Sequence, residues 1–145
     1  MHRRNILATA LAAIGALLGA RTARAETHDA PKVVYHLADL DKVAFVLGNI
    51  DNHLSGVGGP EKVTIELVVH GPALRAFHAS AASPDTARRL ASLVKAQVKP
   101  AACINSMHGQ NVTLADLLPG FTVAERGGVV RIAELQAQGY VYLRP

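Results

Sequence analysis

From Lys32 onward, short apolar runs rich in β-branched residues alternate with stretches of helical periodicity, and no other property of the sequence limits its fold so tightly. Lys32 to Leu37 (Lys-Val-Val-Tyr-His-Leu), entered through Pro31, predicts a strand. Leu40, Val43, Leu47, Ile50, Leu54 and Val57 then recur at alternating spacings of three and four, which lays them along one face of an α-helix. Asp39 or Asp41 is placed to cap its start and Gly58-Gly59-Pro60 to stop it. Lys62 to His70 predicts a second strand, continuously apolar in its latter half, as expected of a strand covered on both faces. Gly71-Pro72 turns the chain into a short helical piece from Ala73 to Phe77. Ser83-Pro84-Asp85 combines a cap, a proline at the first position and an acid in the first turn. Ala87, Leu90, Val94 and Val98 carry that helix toward Pro100, the expected stop. A third strand is expected over Ala101 to Asn105, a short helix over Thr113 to Leu118, and a fourth strand over Phe121 to Glu125. A helix from Val129 to Gln138 and a last strand from Tyr140 to Leu143 complete the series. Strands that alternate with helices pair in parallel, so the expectation is an α/β domain around a five-stranded, mainly parallel sheet.

Residues 1–25 read as a cleaved export signal. Arg3 and Arg4 form a basic start, Ile6 to Ala20 is uncharged and apolar, and Ala23-Arg24-Ala25 fits a small-x-small cleavage site. The apolar stretch is shorter than the ~20 residues that cross a bilayer as a helix, so no stable membrane anchor is expected. His2-Arg3-Arg4-Asn5-Ile6-Leu7 resembles a twin-arginine signal, with the general secretory route as the alternative. The expectation is a periplasmic protein with a single domain over residues 26–145. The signal holds Arg3, Arg4, Arg21 and Arg24 and none of the 11 acidic residues, so the remaining chain is electrically balanced despite 15 Lys and Arg in all. No nucleic-acid partner is expected, because no basic patch interleaved with aromatics remains.

The site of an open parallel sheet lies at the carboxyl ends of its strands. Here those ends are Leu37-Ala38-Asp39, His70-Gly71-Pro72, Cys103-Ile104-Asn105 and Arg126-Gly127-Gly128. Cys103 is the chain's one cysteine, so it forms no disulfide within the chain. It stands where an apolar run gives way to a loop of small polar residues. A thiolate there would be supported by backbone N–H groups from Ser106 to Gly109 and by His70. An inert buried thiol and an intermolecular bridge are the competing readings, and a copper site built from Cys103, Met107 and His108 is a further one. His36 is expected to be a satisfied core or edge histidine, and His53 and His78 to lie on helix faces. Asn49 and Asn52 fall at or near the polar side of the first helix. There is no GxSxG, Walker A or dinucleotide fingerprint, so a conventional hydrolase, kinase or dehydrogenase is disfavoured, and no cofactor is expected.

The strand order, the phrase Val68-Val69-His70-Gly71-Pro72 and a lone cysteine ending a short third strand together resemble the DsrE/DsrF-like family, from about Lys32 to Arg144. The resemblance implies a three-layer α/β/α sandwich around a five-stranded parallel sheet, assembled as homotrimers or hexamers. It also implies sulfur-relay chemistry, in which a cysteine carries a persulfide between a donor and an acceptor protein. Cys103 matches the family's central cysteine and His70 its histidine-glycine, with Gly71, Asn105 and His108 as ligand-binding neighbours. Relay members act in the cytoplasm, whereas this chain carries an export signal. The function expected is therefore a periplasmic sulfur-binding or sulfur-transfer protein. The alternatives are a small-ligand or copper-binding module, or a non-catalytic oligomeric subunit in which the cysteine packs.

Overall fold

The computed structural model describes residues 29–145, so the export signal expected over residues 1–25 lies outside the described residues. Strands and helices alternate strictly: β1 (Lys32–Leu37), α1 (Val43–Val57), β2 (Thr64–Val69), α2 (Pro84–Lys95), β3 (Lys99–Cys103), α3 (Ile104–Gly109), β4 (Thr122–Ala124), α4 (Gly128–Ala137) and β5 (Val141–Leu143). The sheet order is β4-β3-β2-β1-β5, and every pairing is parallel. This is the α/β class that the alternation predicts. Four 3-10 segments fill the connections, among them Gly71–Phe77 after β2.

Because side chains alternate across a strand, β1 and β2 divide their residues between two faces. Val33, Tyr35, Leu37, Ile65, Leu67 and Val69 face α1 and α2, where they pack with Val46, Leu47, Ile50, Leu90, Leu93 and Phe77. Val34 and Val68 face the other way and meet Ile132 and Leu135 of α4. Glu66 also lies on that second face, buried in the middle of β2. Its carboxylate accepts two hydrogen bonds from Arg131 of α4, Nε to Oε1 at 2.6 Å and Nη2 to Oε2 at 2.8 Å. This paired geometry satisfies a charge that would otherwise be costly to bury.

Three local expectations are corrected. Pro100 does not stop α2, which ends at Lys95; Gln97 turns the chain at φ 67°, and Pro100 sits inside β3. A proline is tolerated there because pairing with β4 starts one residue later, at Ala101 and Thr122. The Pro100 carbonyl accepts from Thr122 Oγ1 on that side, so its missing N–H costs no ladder bond. Asn105 is not the end of β3: the chain passes directly from Cys103 into α3, a helix where a loop was expected. Asp39 precedes the helical turn that leads to α1, but its carboxylate makes no cap and accepts instead from Arg144 Nη2 at 3.1 Å. Ser83 does cap α2, accepting from the Thr86 N–H at 3.1 Å. Among the described residues, no helix is long and apolar enough to cross a membrane.

Candidate functional site

Cys103 ends β3, and the register sets His70 beside it: Val69 lies opposite Ala102 and Cys103 opposite Ala124. Both side chains share the face covered by α4. What brings α4 onto them is Gly128, its first residue. A Cβ at Gly128 would lie 3.2 Å from the Cβ of Cys103, 3.2 Å from the Cβ of His70 and 3.4 Å from Val68 Cγ1. Only glycine lets the helix start so close to the thiol. The result is an open cavity of about 340 Å³ lined by His70, Gly71, Cys103, Asn105, Ser106 and the Arg126–Val130 segment.

The thiol is 5% exposed yet lines this cavity. Burial pushes its pKa up, because a thiolate loses hydration there. The Gly128, Ser106 and Asn105 N–H groups and the Ser106 hydroxyl favour the thiolate and push the other way, and the net position lies below the ordinary thiol value. The Ser106 hydroxyl is set for this role. Its oxygen accepts the Gly71 N–H at 2.7 Å, which leaves its hydrogen for the sulfur. Gly71 is fixed in turn: its φ is +59°, and its carbonyl accepts from Gln110 Nε2 at 2.8 Å. Gln110 is itself held by His78 Nε2 at 2.8 Å.

Next to the thiol lies a chain of three aromatic side chains. The His70 and His36 rings lie within 21° of parallel with centroids 4.6 Å apart and meet edge to edge through their Nε2 atoms, and His36 Nδ1 meets the Tyr142 hydroxyl at 2.6 Å. Burial, then the neighbouring His70 and the Arg144 charge, lower His36 to about 4, with Asp39 opposing. Burial and Arg144 lower His70 as well, again against Asp39. Both rings are therefore neutral at pH 7, and His70 offers the thiolate no positive charge. The support expected from it comes instead from α4 and Ser106.

Of the residues singled out from the sequence, Cys103, His70, Gly71 and Asn105 line one cavity. His108 is exposed and outside that lining, and Met107 is 3% exposed within the larger core, so Cys103, Met107 and His108 are not assembled as a metal site. No cluster of three or more His, Cys, Asp or Glu among the described residues is placed to hold a metal. His53 lies in α1 and bonds Tyr35 at 2.8 Å; His78 bonds Gln110. His36 is satisfied as expected, but by a second histidine and a tyrosine. Tyr142 and the hydroxyl of Ser106 were not singled out by sequence reasoning, which named Ser106 only for its backbone N–H and Gly128 only as part of a strand end. The Gly127-Gly128 pair after a strand was the available signal for a close backbone approach.

No curated protein matches the chain. Among solved structures, it is similar to a protein of unknown function, MTH1491, from Methanobacterium thermoautotrophicum, at 25% identity and a TM-score of 0.70, covering 79% of this chain and 99% of that one. The ychN protein from E. coli shares the fold at 13% identity and a TM-score of 0.56, covering 80% of this chain and 99% of that one. The model of the DsrE/DsrF-like family matches residues 20–145, and with the parallel five-stranded sheet this shows that the chain belongs to the DsrE/DsrF-like family.

Proposed function

We propose that the protein carries sulfane sulfur on Cys103, acting in the periplasm if the amino-terminal segment is used as an export signal. Family membership supports a sulfur-relay role. The observation that carries the finer reading is the thiol itself: buried, facing a cavity, and favoured as thiolate by the surrounding polar groups of Gly128, Ser106 and Asn105. The thiolate attacks the outer sulfur of a donor persulfide. A bond forms between Cys103 Sγ and that sulfur, the donor's S–S bond breaks, and its electron pair leaves with the donor as a thiolate. Nothing is oxidised overall. The Cys103 persulfide is again an anion, served by the same donors. Delivery to an acceptor thiolate is the reverse exchange, so a single cysteine suffices. Self-association is part of the proposal: Val141 on the edge strand is 58% exposed, an apolar side chain suited to cover by a second copy.

The test is intact mass after native protein meets a small persulfide donor. A gain of one sulfur is expected for the wild type and none for Cys103→Ser, whose folding stays near wild type because serine fits the same donors. No gain by the wild type, or an equal gain by Cys103→Ser, rejects the reading and leaves Cys103 a packing residue.

A further inference from the structure

Neutral histidines that contact each other through Nε2 have one hydrogen between them, so each ring fixes the other's tautomer. If His36 donates from Nε2, its Nδ1 must accept from the Tyr142 hydroxyl, and His70 carries its hydrogen on Nδ1. If His70 donates from Nε2, His36 carries hydrogen on Nδ1 and donates to Tyr142, and His70 Nδ1 is left bare. His70 lines the thiol cavity, and its Nε2 is taken by His36, so Nδ1 is the ring nitrogen left for a molecule in the cavity. At the other end, Tyr142 is 38% exposed on edge strand β5. The three residues share the α4 face of the sheet: Tyr142 lies opposite Val34, two residues before His36, and His36 lies opposite Val68, two residues before His70.

We propose that Tyr142, His36 and His70 form a proton relay that brings a proton from solvent at the β5 edge to the group displaced by Cys103. The relay rests on Cys103 as the attacking atom, and His36 and Tyr142 act through His70. As the S–S bond of the substrate breaks, its electron pair leaves on sulfur as a thiolate. His70 Nδ1 gives that sulfur its hydrogen, His70 Nε2 takes the hydrogen of His36 Nε2, and His36 Nδ1 takes the hydrogen of Tyr142. Water then returns a proton to the tyrosine oxygen. One proton enters at the edge strand, one leaves with the displaced thiol, and neither histidine passes through a charged resting state. This suits the surroundings: Arg144 and Asp39 are the charged groups that act on the pair, and buried rings beside an arginine resist protonation. The device is useful when the displaced group is a weakly acidic alkyl thiol, such as a protein cysteine, and superfluous when it is a strongly acidic one. The structure thus points to an alkyl persulfide as the class of donor.

The discriminating variable is the acidity of the leaving thiol. Rates of Cys103 reaction are measured for the wild type, Tyr142→Phe and His36→Gln with two small disulfides, an aromatic one that releases an acidic thiol and an alkyl one that does not. Tyr142→Phe and His36→Gln are each expected to slow the alkyl reaction about tenfold or more while leaving the aromatic reaction within about twofold. Equal slowing of both reactions, or slowing of neither, overturns the relay. A wild type that reacts with both disulfides yet takes up no sulfur from a persulfide removes the carrier reading alone. A thiol that reacts with neither disulfide in the native state removes both.

Discussion

The face of the sheet toward α1 and α2 buries 22 residues in one apolar cluster, while the cluster on the face toward α4 has four and shares that face with Glu66, His36, His70, Tyr142, Cys103 and the small Ala101 and Ala124. The same strands supply both, one residue apart. The first face is made of atoms whose value lies in leaving water, which is why it needs volume and no particular chemistry. The second is made of groups that must each be answered: Glu66 by Arg131, His36 by His70 and Tyr142, Cys103 by Gly128 and Ser106. Apolar packing is concentrated on one side of a single sheet and polar, titratable groups on the other. The short helix α4 is thin cover, but it supplies both an ion-pair partner for Glu66 and, at Gly128, the N–H group that most favours the thiolate.

This division predicts where substitutions hurt. Leu47→Ala, at a fully buried position of α1, should cost about 2–5 kcal/mol in urea unfolding and leave the alkylation midpoint of Cys103 unmoved. A shifted midpoint would mean that the two faces are not separable. Gly128→Ala should cost less, about 1–3 kcal/mol, because the added methyl meets Cys103 and His70 at 3.2 Å and pushes the start of α4 outward. Unlike the core change, it should raise the alkylation midpoint, since the Gly128 N–H withdraws from the sulfur. The smallest effect is that of acid. His36 is lowered to about 4 in the folded protein, so the unfolded chain binds the proton first as pH falls. Stability should therefore decline slightly as pH falls from about 6.5 to about 4, and His36→Gln should flatten that decline in urea midpoints taken across the window.

Legibility follows the same division. The apolar face is written in periodicity: β1 spans the Lys32–Leu37 stretch that the sequence predicts, and Val43, Leu47, Ile50 and Leu54 belong to the buried stripe of α1. The boundary between α2 and β3 was obscured because Pro100 signals a stop equally well for a helix and for an interrupted ladder. Six residues are too few to show a period, which hid α3. On the α4 face, Cys103 and His70 could be placed at strand ends, but their partners could not. That His36 answers His70 depends on β1 pairing with β2, and that Tyr142 answers His36 depends on β5 pairing with β1 rather than with β4; no local pattern encodes these choices.

The closeness of Gly128 to Cys103 also has a consequence in time. The N–H group that does most to steady the thiolate belongs to a helix that follows β4, while the sulfur sits at the end of β3. Until β4 has paired and α4 has docked, the cysteine has the acidity of any free thiol and is overwhelmingly protonated at neutral pH. The chain therefore folds with its sulfur dormant. The lowered pKa of the thiol is thus a property of the assembled fold and not of its local sequence, and it waits on the docking of α4.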